Sequence, residues 1–204
     1  GQLGDNTTTA KSSPVQTVAG GTNWKQVSSG YSATAAIKTD GTLWTWGWNL
    51  YGSLGDNTTT NKSSPVQTIA SGTNWKQVSC SGQGAGDTVA AIKTDGTLWM
   101  WGYNVYGQLG DNTTTNRSSP IQTIAGGTNW KQVSCSMQNY ITAAIKTDGT
   151  LWMWGRNNAG QLGDNTRTDK SSPVQTIAGG TNWKQVSGPG AIYFYDANDQ
   201  YPNS

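Results

Sequence analysis

Every acidic residue of this 204-residue chain is Asp, and neither Glu nor His occurs in it. The missing His removes the usual general base and the commonest metal ligand together. Asp5, Asp56, Asp111 and Asp164 lie in identical Gly-Asp-Asn-Thr loops. Repeated carboxylates of this kind could hold a cation, yet each loop offers only one, against the roughly six to eight oxygens that calcium takes. Asx-turn hydrogen bonding explains the same residues, and Asp40, Asp95 and Asp148 each precede Gly as in a tight hairpin. There is no Cys-His pair and no Gly-x-Ser-x-Gly elbow. Two Asp about 5 to 10 Å apart could hydrolyse a glycoside, a remote alternative that no spacing supports. Cys80 and Cys135 share one repeat position, where other copies have Ser29 and Gly188. A disulfide would need their Cα atoms within about 7 Å, and two buried thiols fit the pattern better. No catalytic, metal or cofactor site is therefore expected.

The residues with most to say about function are those where the copies differ. One window follows Val-Ser and changes length: Ser29 to Ser32 with Tyr31, Cys80 to Asp87 with Gln83, and Cys135 to Tyr140 with Gln138. A second follows Trp-Gly: Trp48, Leu50 and Tyr51, then Tyr103, Val105 and Tyr106, then Arg156, Asn158 and Ala159. Length variation belongs on surface loops, and rigid scaffolds carry recognition there. Aromatic rings and Arg anchor protein interfaces and stack on sugars. These side chains form the candidate binding set for a protein or glycan. The competing reading is that the rings only pad contacts between repeats.

The elements that must hold these loops repeat with them. Leu-Gly-Asp-Asn-Thr and Thr-Asn-Trp-Lys-Gln-Val-Ser each occur four times, at spacings of 51, 55 and 53 residues, and Lys-Thr-Asp-Gly-Thr-Leu-Trp three times. Each unit reads as four short strands: Pro65 to Ala70, Trp75 to Ser79, Ala90 to Thr94 and Thr97 to Gly102, the last two joined by an Asp-Gly turn. In the segment from Thr42 to Gly47, Trp44 and Trp46 share one face while Leu43 and Thr45 share the other. Large rings on one face and small residues on the other suit sheets stacked face to face. The expectation is an all-β propeller of four-stranded antiparallel blades, about four in this chain, with a β-solenoid as the alternative. It forms a single repeat domain with units of about 1–47, 48–102, 103–155 and 156–204. Lys plus Arg number 13 against 11 Asp, a net charge of +2 without any charged run, which argues against nucleic acid. No apolar stretch is long enough for a membrane span.

The phrases around Trp48 to Thr58, Tyr103 to Thr113 and Arg156 to Thr166, each preceded by Lys-Thr-Asp-Gly-Thr-Leu-Trp, resemble the repeat of the regulator-of-chromosome-condensation family. The resemblance implies a propeller, seven-bladed in well-known members, used as an interaction platform. One branch promotes nucleotide exchange on a small GTPase, and bacterial relatives inhibit enzymes. The family often places His after Val-Ser-x-Gly, where this chain has Ala33, Thr88 and Ile141, so the resemblance favours the scaffold role over exchange. Four units fall short of seven blades. The chain could be the C-terminal part of a longer one, as its mid-repeat start suggests; two chains could complete a ring; or four blades could close alone. A Tyr-rich end (Tyr193, Phe194, Tyr195, Tyr201) reads as a cap or latch. Low charge and near-identical Thr- and Asn-rich repeats suggest a binding or structural module outside the cytoplasm, extracellular, on a cell surface or in a virion, such as an adhesin or appendage. Asn6, Asn57 and Asn112 begin Asn-Thr-Thr sequons, read either as glycan acceptors or as plain polar turns.

Overall fold

A computed structural model describes residues 1–84, 86–136, 139–187 and, as backbone only, 193–196. The described chain is all β, as the turn chemistry and alternation require, and no helix in it is long and apolar enough to cross a membrane. Blade 1 is β1 (Trp24–Ser29), β2 (Ala33–Lys38), β3 (Leu43–Gly47) and β4 (Lys62–Gln67), hydrogen-bonded in sequence order. Blade 2 is β5 (Trp75–Gln83), β6 (Gly86–Lys93), β7 (Leu98–Gly102) and β8 (Arg117–Gln122). Blade 3 is β9 (Trp130–Cys135), β10 (Ile141–Lys146), β11 (Leu151–Gly155) and β12 (Lys170–Gln175). Then come β13 (Trp183–Ser187) and β14 (Tyr193–Asp196), an antiparallel pair that takes in part of the Tyr-rich end. Tyr201 and the side chains of Tyr193, Phe194 and Tyr195 lie outside the described residues.

One strand belongs elsewhere than the sequence suggested. The Pro-Val-Gln-Thr segment bonds to the Trp-Gly strand before it, as β4 does to β3, so it closes the blade it follows instead of opening the next. It also starts earlier, at Lys62. Pro65 is tolerated because β4 is an edge strand, where a missing N–H faces no partner.

Blades stack ring face against small face, as the alternation implied. Trp75, Val78, Cys80, Val89, Ala91 and Trp101 of blade 2 pack on Ala33, Ala35, Ile37 and Leu43 of blade 1. Trp130, Val133, Cys135, Ala144 and Trp154 of blade 3 repeat this on Ala90, Ile92, Leu98 and Met100 of blade 2. Trp75, Trp101, Trp130 and Trp154 are fully buried, so these rings dominate the apolar area that the stack removes from water. Cys80 and Cys135 sit in these interfaces as buried free thiols. Burial pushes both upward, Cys135 to about 12.

Candidate functional site

In an antiparallel sheet of sequential order, the β1–β2 and β3–β4 connections leave at one end, and the β2–β3 and β4–β5 connections at the other. Both variable windows therefore emerge on one side, the loop face. The opposite side, the hairpin face, carries the Asp-Gly turns.

The long loops of the loop face are braced by a buried Asn. Asn49 Nδ2 donates to Asp56 Oδ1 and to the carbonyls of Thr58 and Thr60, and its Oδ1 accepts from Leu54 N–H. Asn104 and Asn157 repeat the arrangement. Within each loop, Asp Oδ1 accepts from the N–H and hydroxyl of the Thr two residues on, at 2.7 to 3.1 Å across Asp5, Asp56, Asp111 and Asp164. The second oxygen pairs with Lys11, Lys62, Arg117 or Lys170. Burial works to raise the Asp111 carboxyl, but Thr113 and Arg117 outweigh it and hold it below the ordinary range. The four carboxylates are consumed as turn braces. The next residue in three of these loops, Asn6, Asn57 and Asn112, accepts a Ser hydroxyl from the following blade.

On this frame stands a cluster of phenol rings. Tyr51 meets Tyr103 edge-on at 4.9 Å, Tyr103 lies 5.5 Å from Tyr140, and Tyr140 stacks on Tyr106 at 4.9 Å. Arg156 holds its guanidinium 5.3 Å above the Tyr106 ring. Residues from three successive blades are thus joined in one half-exposed strip. Tyr140 adopts φ 51°, a left-handed conformation that a bulky residue seldom takes. Such strain clusters at functional sites. Burial, then the neighbouring phenols, raise the Tyr103 hydroxyl, and burial raises that of Tyr140.

Other expected residues stand apart from the strip. Tyr31 is 63% exposed. Trp48, 41% exposed, borders a groove of about 330 Å³ shared with Gly1, Gln2 and Lys62. Asn158 is exposed, its Oδ1 held by Gln161 Nε2. Gln83 pairs through its backbone with Gly86, while its side chain, like the whole of Gln138, lies outside the described residues. Asp87 differs from the expectation of a loop contact, because it is fully buried. Its carboxylate accepts Tyr31 N–H at 2.7 Å, and Ser32 N–H and hydroxyl at 2.8 and 2.7 Å, which latches blade 2 to blade 1. The longer hairpin of this copy carries Asp87 inward to those orphan donors.

The sequence reading missed a second latch. Gln26 Nε2 donates to the Val78 carbonyl while its Oε1 accepts Val78 N–H; Gln77 clasps Val133 likewise, and Gln132 clasps Val186. The invariant Gln of the Trp-Lys-Gln-Val-Ser repeat was the available signal, since a polar side chain kept at every copy of an inner strand needs a partner.

Comparison with known proteins places this geometry. The Regulator of chromosome condensation (RCC1) repeat matches residues 40–85, 95–144 and 148–188. The chain is 34% identical over 153 residues to the Ultraviolet-B receptor UVR8 of Arabidopsis thaliana, covering 74% of this chain and 33% of that protein. It is 29% identical over 169 residues to the mouse probable E3 ubiquitin-protein ligase HERC4, covering 82% of this chain and 15% of the ligase. The chain thus spans a third or less of these relatives, and the part of the ligase it matches is the non-catalytic repeat region. Among solved structures, Prp20p of Saccharomyces cerevisiae aligns with a TM-score of 0.70 at 18% identity, over 87% of this chain and 45% of that one. Human WBSCR16 aligns at 0.66 and 23%, over 84% and 43%. The expectation of an extracellular, cell-surface or virion location is corrected by UVR8, HERC4 and Prp20p, which are intracellular, nuclear or cytosolic proteins. The composition that prompted it, Thr, Asn and Gly with little charge, follows from the turn and strap chemistry of the repeat. The chain belongs to the Regulator of chromosome condensation (RCC1) repeat family.

Proposed function

We propose that this propeller is a non-catalytic protein-recognition module that binds its partner through the loop face, with Tyr51, Tyr103, Tyr106, Tyr140 and Arg156 as the anchor. The observation that carries this reading is the strip itself, five side chains from three blades held in mutual contact with one in a strained conformation. Tyr and Arg are the residue types that dominate interface energetics, and a pre-assembled cluster loses little side-chain entropy on binding. Trp48 and Tyr31 extend the surface toward blade 1. Selection of a displayed peptide library on the wild-type chain, followed by binding to Tyr106→Ala with Arg156→Ala, tests it. Selected peptides should lose at least about tenfold in affinity, a little over 1 kcal/mol. If the same peptides keep full affinity there and lose it with Lys131→Ala on the hairpin face, the reading is wrong.

A second reading, regulation of a small GTPase, draws on Prp20p, whose structure is described with its binding to Gsp1p and histones. It predicts accelerated release of a fluorescent nucleotide from such a GTPase. Unchanged release at saturating propeller removes it.

A further inference from the structure

Arg156 is the one guanidinium of the phenol strip, always charged, and it stands without a counter-ion. Elsewhere on the loop face the repeat matches its cations. Lys11, Lys62, Arg117 and Lys170 occupy one repeat position, and each pairs with the Asp of its own loop at 2.7 to 3.9 Å. Arg117 does so through both Nε and Nη2, at 2.9 and 2.7 Å. Arg156 makes no ion pair and no side-chain hydrogen bond among the described residues, and its guanidinium has only the Tyr106 ring. Asp169, in the loop that follows it, uses Oδ1 to accept Asn157 N–H at 2.6 Å and forms no ion pair with it. Arg167 is also unpaired among the described residues, but it is exposed and rests on no ring there.

The neighbouring phenols are available in the same sense. The rings of Tyr51, Tyr103, Tyr106 and Tyr140 are half-buried, yet none of their hydroxyls meets a hydrogen-bond partner among the described residues. The repeat position of Arg156 holds Trp48 in blade 1 and Tyr103 in blade 2. The strip is therefore polar along its length, with rings alone at the Tyr51 end and a cation beside the rings at the Arg156 end.

A guanidinium stacked on a ring uses its face, and its N–H groups at the edge stay open to a planar acceptor. A carboxylate fits that edge with two parallel hydrogen bonds. In open water such a pair contributes little. Between half-buried rings, under a ligand that displaces water, the same pair gains from the lower local dielectric.

We infer that the partner held by this strip is an acidic peptide segment, with an Asp or Glu carboxylate on Arg156 and neighbouring apolar side chains across Tyr140, Tyr103 and Tyr51. This rests on the strip being the recognition surface, and it adds the chemistry of what is recognised.

Two libraries of displayed random dodecapeptides test it on the 204-residue chain, one containing every residue type and one lacking Asp and Glu. The first should enrich peptides with an acidic residue, and the best binders from the second should be at least about tenfold weaker. In an enriched peptide, changing the acid to its amide should cost about tenfold on the wild type and almost nothing further on Arg156→Gln, since both changes remove one pair. Arg156→Lys should recover part of that loss, while circular dichroism of both variants stays unchanged. Acid-free peptides that bind as tightly, and that Tyr106→Ala weakens, would keep the strip as the recognition surface and overturn the acidic partner. An amide change equally costly on Arg156→Gln and on the wild type overturns it too. Binders indifferent to both Tyr106→Ala and Arg156→Gln, or no binders from either library, would overturn the recognition surface as well.

Discussion

The hairpin face and the loop face are made from opposite materials. On the hairpin face, Asp40, Asp95 and Asp148 each cap their own turn through a Thr hydroxyl and N–H at 2.7 to 3.0 Å. Behind each turn a Lys lies between two Trp rings: Lys38 on Trp24 and Trp44, Lys93 on Trp75 and Trp99, Lys146 on Trp130 and Trp152, at 4.3 to 4.9 Å. Three copies, one solution. On the loop face the Asn and Asp braces are shared, as is the Tyr51/Tyr106 position between two copies, but the side chains around them differ from copy to copy: blade 1 shows Tyr31 and Trp48, blade 2 has the Asp87 latch, and blade 3 carries Tyr140 and Arg156. Shared residues specify the stack, and unshared residues are free to specify a partner.

The comparison breaks most severely if a shared ring is removed. Trp101→Ala empties a fully buried site between blades and should cost about 4 kcal/mol in urea unfolding. A cost under about 1 kcal/mol would mean that the Trp face does not hold the blades together. Asp87→Ala comes next. It leaves the buried Ser32 N–H and hydroxyl without an acceptor and frees the Tyr31 N–H, at about 2 kcal/mol, although it lies in an unshared loop. The substitution keeps the Asp87 backbone carbonyl that accepts Tyr103 N–H at 3.0 Å, so peptide affinity at the phenol strip should hold.

That last residue marks where the sequence stopped being readable. The blade architecture was legible because each element carries its own signal: Asp-Gly for the β2–β3 hairpin, alternation for the Trp faces, a fixed period for the stack. The membership of β4 was not, because strand pairing between segments some fifteen residues apart is settled by tertiary hydrogen bonds, not by local pattern. Tyr51, Tyr103, Tyr106, Tyr140 and Arg156 were all named from residue type and position, but their convergence depends on how blades sit side by side. Asp87 was named as a contact for the same reasons and is instead buried, because its position in a longer hairpin, invisible in composition, turns it toward Ser32.

Tyr140→Gly sharpens the contrast from the other side. It removes a side chain from a left-handed backbone position, so stability should hold or rise by up to about 1 kcal/mol. Peptide affinity should nevertheless drop, since the ring linking Tyr103 to Tyr106 is gone. Parallel loss of stability and affinity would show that the ring is packing alone, and the two faces would then differ less than their sequences do.

The smallest effect tests the hairpin face by pH. The Thr42 hydroxyl and N–H hold the Asp40 carboxyl below its ordinary value of 3.8, and the same contacts act on Asp95 and Asp148. A carboxylate whose folded value is depressed stabilises the fold fully above the unfolded value, and that stability is lost as pH falls through the folded one. Wild-type stability should therefore be level from neutral pH down to about 4 with respect to these groups, then decline. Replacing all three by Asn keeps an Asx acceptor without the charge, and should flatten the decline while barely changing stability at pH 7. Thermal melts at pH 7 and pH 3 measure the difference. Because the three turns are exposed, solvent screens them and the change should be slight. An acid decline as steep in the triple variant as in the wild type would move its origin to the loop face, where Asp5, Asp111 and Asp164 are also held low.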